Sequence, residues 1–437
     1  MKIMEKAVLF WFRRDLRMED NHGLYCALKS GLPVVPLFIF DREILDRLNS
    51  DDQRVPFIHQ EIQRLQEECK LQNSSMLVEY GYPEQIFEKL LKEGNFTEVH
   101  TNEDYEPYAL ERDEIIKNRC EEKDVDFFTY KDHVIFHKDD ILKDDGDPYS
   151  VFTPYSKKWK AHVEEDTFEH YSSEEHLDAL WKPEDAEDLS IPELSDMGFS
   201  GAEVEYPSRT VKQSLIKQYA DKRNLPAEQG TSRLGLHFRF GTISIREKAR
   251  RAKELSESFL NELIWRDFYS MVLYQYPHVV DGPFRKKYED IPWRNNEDEF
   301  EKWKKGMTGI PMVDAGMRQL NETGYMHNRV RMIVASFLTK NLLINWQWGE
   351  AYFAEKLLDY ELASNNGGWQ WAAGTGTDAA PYFRIFNPLT QQKKFDKNNA
   401  YVCKWIPELN TDDYPGQMVD LKESRKRCLE AYKSISD

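Results

Sequence analysis

The chain has 437 residues, a formal net charge of −18, 40% hydrophobic and 13% aromatic residues. That length exceeds one typical domain and the apolar content suffices for packed cores, so two domains are expected and a disordered chain is excluded. No apolar run is long enough to span a bilayer, and the five scattered cysteines form no CxxC pair, so a membrane partner, a disulfide framework and a zinc site are excluded and a reducing, cytoplasmic location is expected. The first apolar stretch, Ala7–Phe12, runs straight into Arg13 and Arg14, which marks a buried strand rather than a signal peptide. Residues 34–40, 76–80 and 99–101 read as further short buried strands, and 55–69 between them has helical spacing. Strands alternating with helices suggest a parallel α/β sheet, with no GxGxxG fingerprint after the first strand. Residues from about 130 to 205 lose periodicity and gain charge and proline, as a long connection with local helices would. Within 164–205 fifteen acidic residues stand against Lys182 alone, a local −14 that leaves −4 for the rest of the chain. Residues 209–254 follow with twelve Lys and Arg against four acids. Charge alone leaves two readings open: a solvated linker beside a polyanion-binding face, or ordinary solvated helix surfaces. From 206 onward the pattern is helical, over 259–274, 311–321 and 328–346.

Four features in the helical part carry chemistry. Eight of the eleven tryptophans follow residue 260. Any one of them fits a core, but as a set in a charged helical domain they suit stacking on flat rings and electron transfer. In Asn365-Asn366-Gly367-Gly368-Trp369-Gln370-Trp371 two glycines would let the backbone approach a flat ligand. Trp369 and Trp371, two apart on a helix, should enter different environments. In Met326-His327-Asn328-Arg329-Val330-Arg331-Met332, Asn328 and Met332 share a face. Arg329 and Arg331 diverge, one toward phosphate and the other toward an internal acid such as Asp359, or both into surface ion pairs; His327 suits a structural role. In Asn261-Glu262-Leu263-Ile264-Trp265-Arg266-Asp267-Phe268-Tyr269, Glu262 and Trp265 put a carboxyl beside an indole, which suits a base edge and a base plane. The simpler alternative is a Glu262–Arg266 pair along one helix.

These segments resemble the photolyase/cryptochrome family. The similarity starts at Trp11-Phe12-Arg13-Arg14-Asp15-Leu16-Arg17 and continues through Val151-Phe152-Thr153-Pro154-Tyr155 and Gly230-Thr231-Ser232-Arg233-Leu234. It ends in the stretch from Asn365 to Pro388, its most specific part. MHNRVRM and NNGGWQW look most like class I cyclobutane pyrimidine dimer photolyases. The resemblance implies an α/β fold class: a doubly wound parallel-sheet domain over 1–130, a linker over 131–205, and an all-α domain over 206–437 that binds FAD and DNA. It implies that Tyr219, Thr231, Ser232, Arg233, Leu234 and Gly235 bind the FAD phosphates and sugars. Arg331, Asp359 and Glu361 would surround the flavin ring, with Asn365 beside the ring nitrogen that takes up a proton. Trp369, Trp346 and Trp293 would relay electrons to the surface. Glu262, Trp265, Asn328, Arg329, Met332 and Trp371 would line the lesion pocket, with Arg266 also facing DNA. Two departures stand out. Gly235 replaces a frequent serine. Tyr108 and Ala109 replace the Asn and Glu of the class I folate site, so the second, antenna chromophore is a deazaflavin, another flavin or none.

The implied activity is light-driven repair of pyrimidine dimers in DNA by an FAD-dependent monomer without a resident metal. The family's photoreceptor cryptochromes are a rival; Asn365 is the residue of a repair enzyme, where plant-type receptors carry Asp. A (6-4) photolyase would carry paired histidines, whereas Asn328 follows His327. Outside the family, the rival is a nucleic-acid binding module without chemistry.

Overall fold

The structure, a computed structural model, describes residues 5–183 and 189–435. The chain divides into two compact units. One comprises the described parts of 1–140, 162–209 and 234–251; the other comprises 141–161, 210–233 and the described part of 252–437.

The first unit is built on a five-stranded, wholly parallel sheet: β1 (Ala7–Phe12), β2 (Val34–Asp41), β3 (Leu77–Gly81), β4 (Phe96–Asn102) and β5 (Asp126–Tyr130). The spatial order is β3-β2-β1-β4-β5, so the winding reverses between β1 and β4, the arrangement of a doubly wound sheet. All six residues of β1 are buried, as a central strand covered on both faces requires. Helices α1 (His22–Leu28), α2 (Arg54–Leu71), α3 (Pro83–Glu93) and α4 (Pro107–Glu121) connect successive strands. In α2, Val55, Ile62, Leu65 and Cys69 are buried at helical spacing. The fifth strand, Asp126-Phe127-Phe128-Thr129-Tyr130, was not foreseen: it opens on an acid, sits at the sheet edge and buries little.

Three arginines of the basic run pair with carboxylates within this unit, and one of them, Arg246, is buried. Arg246 pairs with Asp20 at 2.8 Å and Asp132 at 2.9 Å, and Arg17 meets Asp132 at 2.8 Å, all buried. Arg239 pairs with Glu106 and Arg209 with Glu61. These cations neutralise the protein's own carboxylates, which removes them from the polyanion-binding face that the local charge had allowed. Four acids of the acidic segment, Glu184, Asp185, Glu187 and Asp188, lie outside the described residues.

The second unit is helical. Its main elements are α5 (Phe152–Ala161), α6 (Glu257–Gln275), α7 (Pro311–Thr323), α8 (Asn328–Ser336), α9 (Trp346–Lys356), α10 (Leu362–Ala373) and α11 (Leu421–Lys433). The Ser256 side chain accepts from the Phe259 N–H to start α6, and Asn345 does the same for α9 through Gln347. The single helix expected over 328–346 is two helices. A π-helical turn, Phe337–Asn341, follows α8, Leu343 adopts a left-handed φ of 54°, and Asn345 caps a new start. Apolar residues on both sides of this break kept the periodicity intact while the backbone turned. The core contains Trp303, Met312, Val330, Val334, Phe337, Trp346, Phe353 and Trp369, with Trp293 and Trp371 packed against it.

The stretch 131–205 is not one linker. Residues 141–161, including α5, pack in the helical unit, and the described part of 162–205 belongs with the sheet unit, as do 206–209 and 234–251. Side-chain pairing decides this: Trp159 of α5 donates its indole N–H to Asp267 of α6 at 3.0 Å.

Candidate functional site

The helical unit encloses a cavity of about 380 Å³, within the range of small-molecule and cofactor sites. Three helices and one loop supply most of its wall. From α6 come Glu262, Trp265, Arg266 and Tyr269; from α8 Asn328, Arg331 and Met332; from α10 Ser364, Asn365, Gly368, Trp369 and Trp371. The segment between α9 and α10 adds Leu357, Asp359, Tyr360 and Glu361, and Phe353 closes an apolar side. Eleven residues singled out from the sequence thus meet here.

Each position has a local cause. His327 caps α8, its Nδ1 accepting from the Arg329 N–H at 3.1 Å, which aims Asn328 and Met332 from the first turns into the cavity. Burial and three surrounding arginines (Arg331, Arg329 and Arg223) push the His327 imidazole down to about 4, so it stays a neutral acceptor, the structural role expected of it. Arg331 donates to both Asp359 oxygens at 3.0 and 2.8 Å, and its Nε to the Met326 carbonyl at 2.7 Å. That is the internal acid expected for one arginine of the pair. Arg329 diverges, holding Asn224 at 2.7 Å and lying 4.6 Å over the Phe395 ring. It does not line the cavity wall itself.

Arg266 departs from the DNA-facing role expected of it. It is buried and bonds Glu361 at 2.7 Å, so its charge is satisfied inside. Glu262 pairs instead with Arg223, which donates to its Oε1. Burial raises the Glu262 carboxyl above its ordinary range, outweighing the pull of Arg223 and Arg329. The helix pair Glu262–Arg266 is therefore replaced by two pairs reaching other elements.

On α10 the two glycines do different work. A Cβ on Gly367 would fall 2.2 Å from the Tyr269 ring, so this glycine admits a neighbouring side chain rather than a ligand. A Cβ on Gly368 would meet nothing within 4 Å; this glycine opens the wall to the cavity. The Asn365 amide donates to the Glu350 carbonyl at 3.1 Å. Trp369 is buried against Phe353, ring centroids 4.9 Å apart, and against Gly349, where a Cβ would strike it. Trp371 is half-buried near Phe386, so the two indoles do occupy different surroundings although both border the cavity. Gly374 closes α10 in a left-handed conformation, φ 79°.

Other expected residues lie outside the cavity wall. Thr231 Oγ1 is 3.1 Å from the Tyr325 hydroxyl, and the Arg233 guanidinium lies 4.5 Å over the Tyr325 ring. Arg331 lies 5.9 Å from that ring, so Tyr325 links the Thr231–Ser232–Arg233 segment to the cavity. Arg233 itself holds a left-handed φ of 54°, uncommon for a residue with a Cβ. Tyr219 is buried, edge-on to Phe259. Leu234 and Gly235 fall in the sheet unit. Trp346 is buried in the core that holds Trp369, and Trp293 packs against the same core and against Tyr432. In the sheet unit, Tyr108 donates its hydroxyl to Asp41 at 2.7 Å and Ala109 is buried.

Sequence reasoning missed Arg223, Tyr269, Ala335, Phe353, Leu357, Tyr360 and Ser364 as wall residues or partners. Tyr269 was within reach, since it lies one helical turn beyond Trp265. Arg223 was not, because it meets Glu262 from another element.

The wall suits FAD on its own chemistry. It offers a flat apolar side (Phe353, Leu357, Trp369), the open backbone at Gly368, and an ordered Arg331–Asp359 pair for the polar edge of a ring system. Residues 8–173 match the family model described as DNA photolyase, and 259–411 that described as the FAD binding domain of DNA photolyase. The deoxyribodipyrimidine photo-lyase of Synechococcus sp. is 38% identical over 434 residues, covering 93% of this chain and 89% of the relative. A class III photolyase from Agrobacterium tumefaciens superposes with a TM-score of 0.87 at 29% identity, covering 100% of this chain and 98% of that one. An archaeal photolyase from Sulfolobus tokodaii, solved with two FAD molecules, gives a TM-score of 0.84 at 34% identity, covering 98% of this chain and 100% of its own. With the cavity, the sheet and the near-full-length similarity in agreement, the chain belongs to the DNA photolyase family.

Proposed function

We propose that this protein is a deoxyribodipyrimidine photolyase that repairs cyclobutane pyrimidine dimers in DNA under light, with FAD in the helical unit. One observation carries the reading: Glu262, Trp265, Asn328, Met332 and Trp371 share one cavity with Arg331, Asp359, Asn365 and Trp369. Groups suited to a base pair's plane and edges thus adjoin groups suited to a flavin. When bound, FAD supplies the electron on absorbing light.

The chain's own residues bind, orient and stabilise. Arg331, held by Asp359, and Glu361, held by Arg266 and by the Ser364 hydroxyl at 2.9 Å, present a fixed polar edge. The indoles Trp265 and Trp371 offer stacking faces, and the Asn328 amide and Glu262 carboxyl offer hydrogen bonds to base edges. Burial raises the Glu262 pKa, which eases proton uptake beside a dimer carbonyl that gains negative charge, where an ionised carboxylate would repel it. Arg329, held by the neutral Asn224 amide, keeps its charge for a DNA phosphate. A dimer stacks poorly, so extruding it into the cavity costs less than extruding intact bases, and this gives selectivity.

The test is illumination of chemically reduced, FAD-saturated protein with dimer-containing DNA. Repair under blue or near-ultraviolet light and none in the dark is expected. Equal repair in the dark, or none under light after full reduction, overturns the reading.

A further inference from the structure

We propose that Phe152 is a positioning residue for the lesion-binding platform: its ring backs the Trp265 indole and holds it flat toward the cavity, and Asp378 anchors Phe152. The inference rests on the reading of Trp265 as that platform.

Phe152 opens α5, within a stretch the sequence suggested was linker. Its ring lies parallel to Trp265, 3.7 Å between centroids and 4° between planes. Phe268 meets the same indole edge-on at 5.7 Å and Tyr269 is tilted by 34° at 5.3 Å. Phe152 therefore covers one indole face while Trp265 still lines the cavity. An indole on a helix has two soft side-chain torsions, and a ligand that stacks on it must first find it in place. A ring stacked from behind removes that freedom before the ligand arrives.

The backing ring is itself fixed at both ends of its helix. Towards the C-terminus of α5, Trp159 is fully buried and bonded to Asp267, and Lys160 pairs with Glu257 at 2.7 Å. Between these, Tyr155 packs on Phe268, rings 5.2 Å apart. At the N-terminus, the Asp378 N–H donates to the Ser150 carbonyl at 3.1 Å, two residues before Phe152. Asp378 thus ties the residues that lead into α5 to a loop that follows α10. It does so with a left-handed φ of 45°, a conformation uncommon for a residue with a Cβ and one that surrounding structure must hold. A continuous set of contacts thus runs from the loop after Trp371, through Asp378 and Phe152, to Trp265.

The experiment measures affinity of the FAD-loaded protein, in the dark, for dimer-containing and for undamaged DNA. Phe152→Leu keeps apolar volume and removes the flat ring. It should weaken dimer binding about three- to ten-fold, the size of an aromatic pair's contribution, and leave undamaged DNA unaffected. Phe152→Tyr should restore the wild-type affinity, and Asp378→Ala should give a smaller loss of the same selectivity. Phe152→Leu should add nothing in a Trp265→Ala background, since it acts through that indole. Unchanged dimer affinity in Phe152→Leu, an equal loss for both DNAs, or a loss fully additive with Trp265→Ala overturns the proposal. If Trp265→Ala itself leaves dimer affinity intact, the platform reading of Trp265 fails, which is a separate outcome.

Discussion

At Glu262 burial and charge act in opposite directions. Burial favours the protonated carboxyl, and Arg223 with Arg329 favours the carboxylate; burial prevails. A carboxyl that takes up a proton more easily is suited to donate where negative charge develops, so Glu262→Ala should lower the repair yield per absorbed photon more than it lowers dimer affinity. Both quantities are measured on fully reduced protein, and an unchanged quantum yield would leave Glu262 as a binding group alone. The tryptophans make a second case at this scale. Trp303 lies 6.1 Å from Trp369 but is fully buried, whereas Trp293 is half-buried at the margin of the core. A relay must end where a surface donor can reach it. Trp293→Phe should therefore abolish or strongly slow photoreduction of the oxidised flavin, Trp303→Phe should not, and transient absorption after a laser flash distinguishes them. Residues of this kind were legible where spacing along one helix placed them, as with Asn328 and Met332 or Glu262 and Trp265. Arg223, Phe152 and Asp378 were not, because their partners sit on other elements, and tertiary pairing of charges and rings leaves no periodic trace.

Between α9 and α10 the packing is close enough to depend on single atoms. A Cβ on Gly349 would stand 2.2 Å from the Trp369 ring, with the Leu338 side chain at 2.7 Å on another side. Gly349→Ala should displace that indole and destabilise the protein by roughly 1–3 kcal/mol, read by thermal unfolding together with a changed flavin absorption band. One residue on, burial pushes the Glu350 carboxyl up to about 7 despite the Asn366 amide donating to it at 3.0 Å. A raised carboxyl costs nothing while protonated in both folded and unfolded chains, below its ordinary range. The cost grows as pH rises to about 7, where the folded form also ionises. Glu350→Gln should thus raise stability at pH 8 by on the order of 1 kcal/mol and change little at pH 4. Equal effects at both values would assign the change to something other than ionisation. At this scale the sequence was informative for long periodic helices and for apolar central strands. It failed at β5, whose edge position demands little burial, and at the turn between α8 and α9, where an unbroken apolar rhythm conceals a change of direction.

The two units share the chain by turns rather than in succession. The places of the first four strands along the chain and the helical character of the second half could be read from hydrophobic period. The interleaving could not, because membership of a unit is decided by pairs such as Arg246 with Asp20 and Trp159 with Asp267. Within the sheet unit the Tyr108 hydroxyl is committed to Asp41 and Ala109 offers no polar group. Reconstitution with methenyltetrahydrofolate should accordingly add little near-ultraviolet absorbance, and a stoichiometric folate band that sensitises repair would contradict this. Among the described residues no helix is long and apolar enough to cross a membrane.

The placement of Arg246 sets the order in which the protein can be made. Asp20 and Asp132 are buried, and Arg17 alone cannot neutralise them both. During synthesis the sheet strands emerge first, yet their interior charge is unbalanced until more than a hundred further residues have left the ribosome. A buried carboxylate without its partner is strongly unfavourable, so the nascent sheet is held short of its final state while 141–161 and 210–233 wait for helices not yet translated. A fragment cut at residue 205 should behave as such a nascent chain: expressed alone, it should remain loosely packed and protease-sensitive, and supplying residues 206–251 in the same polypeptide should restore protection to the strands.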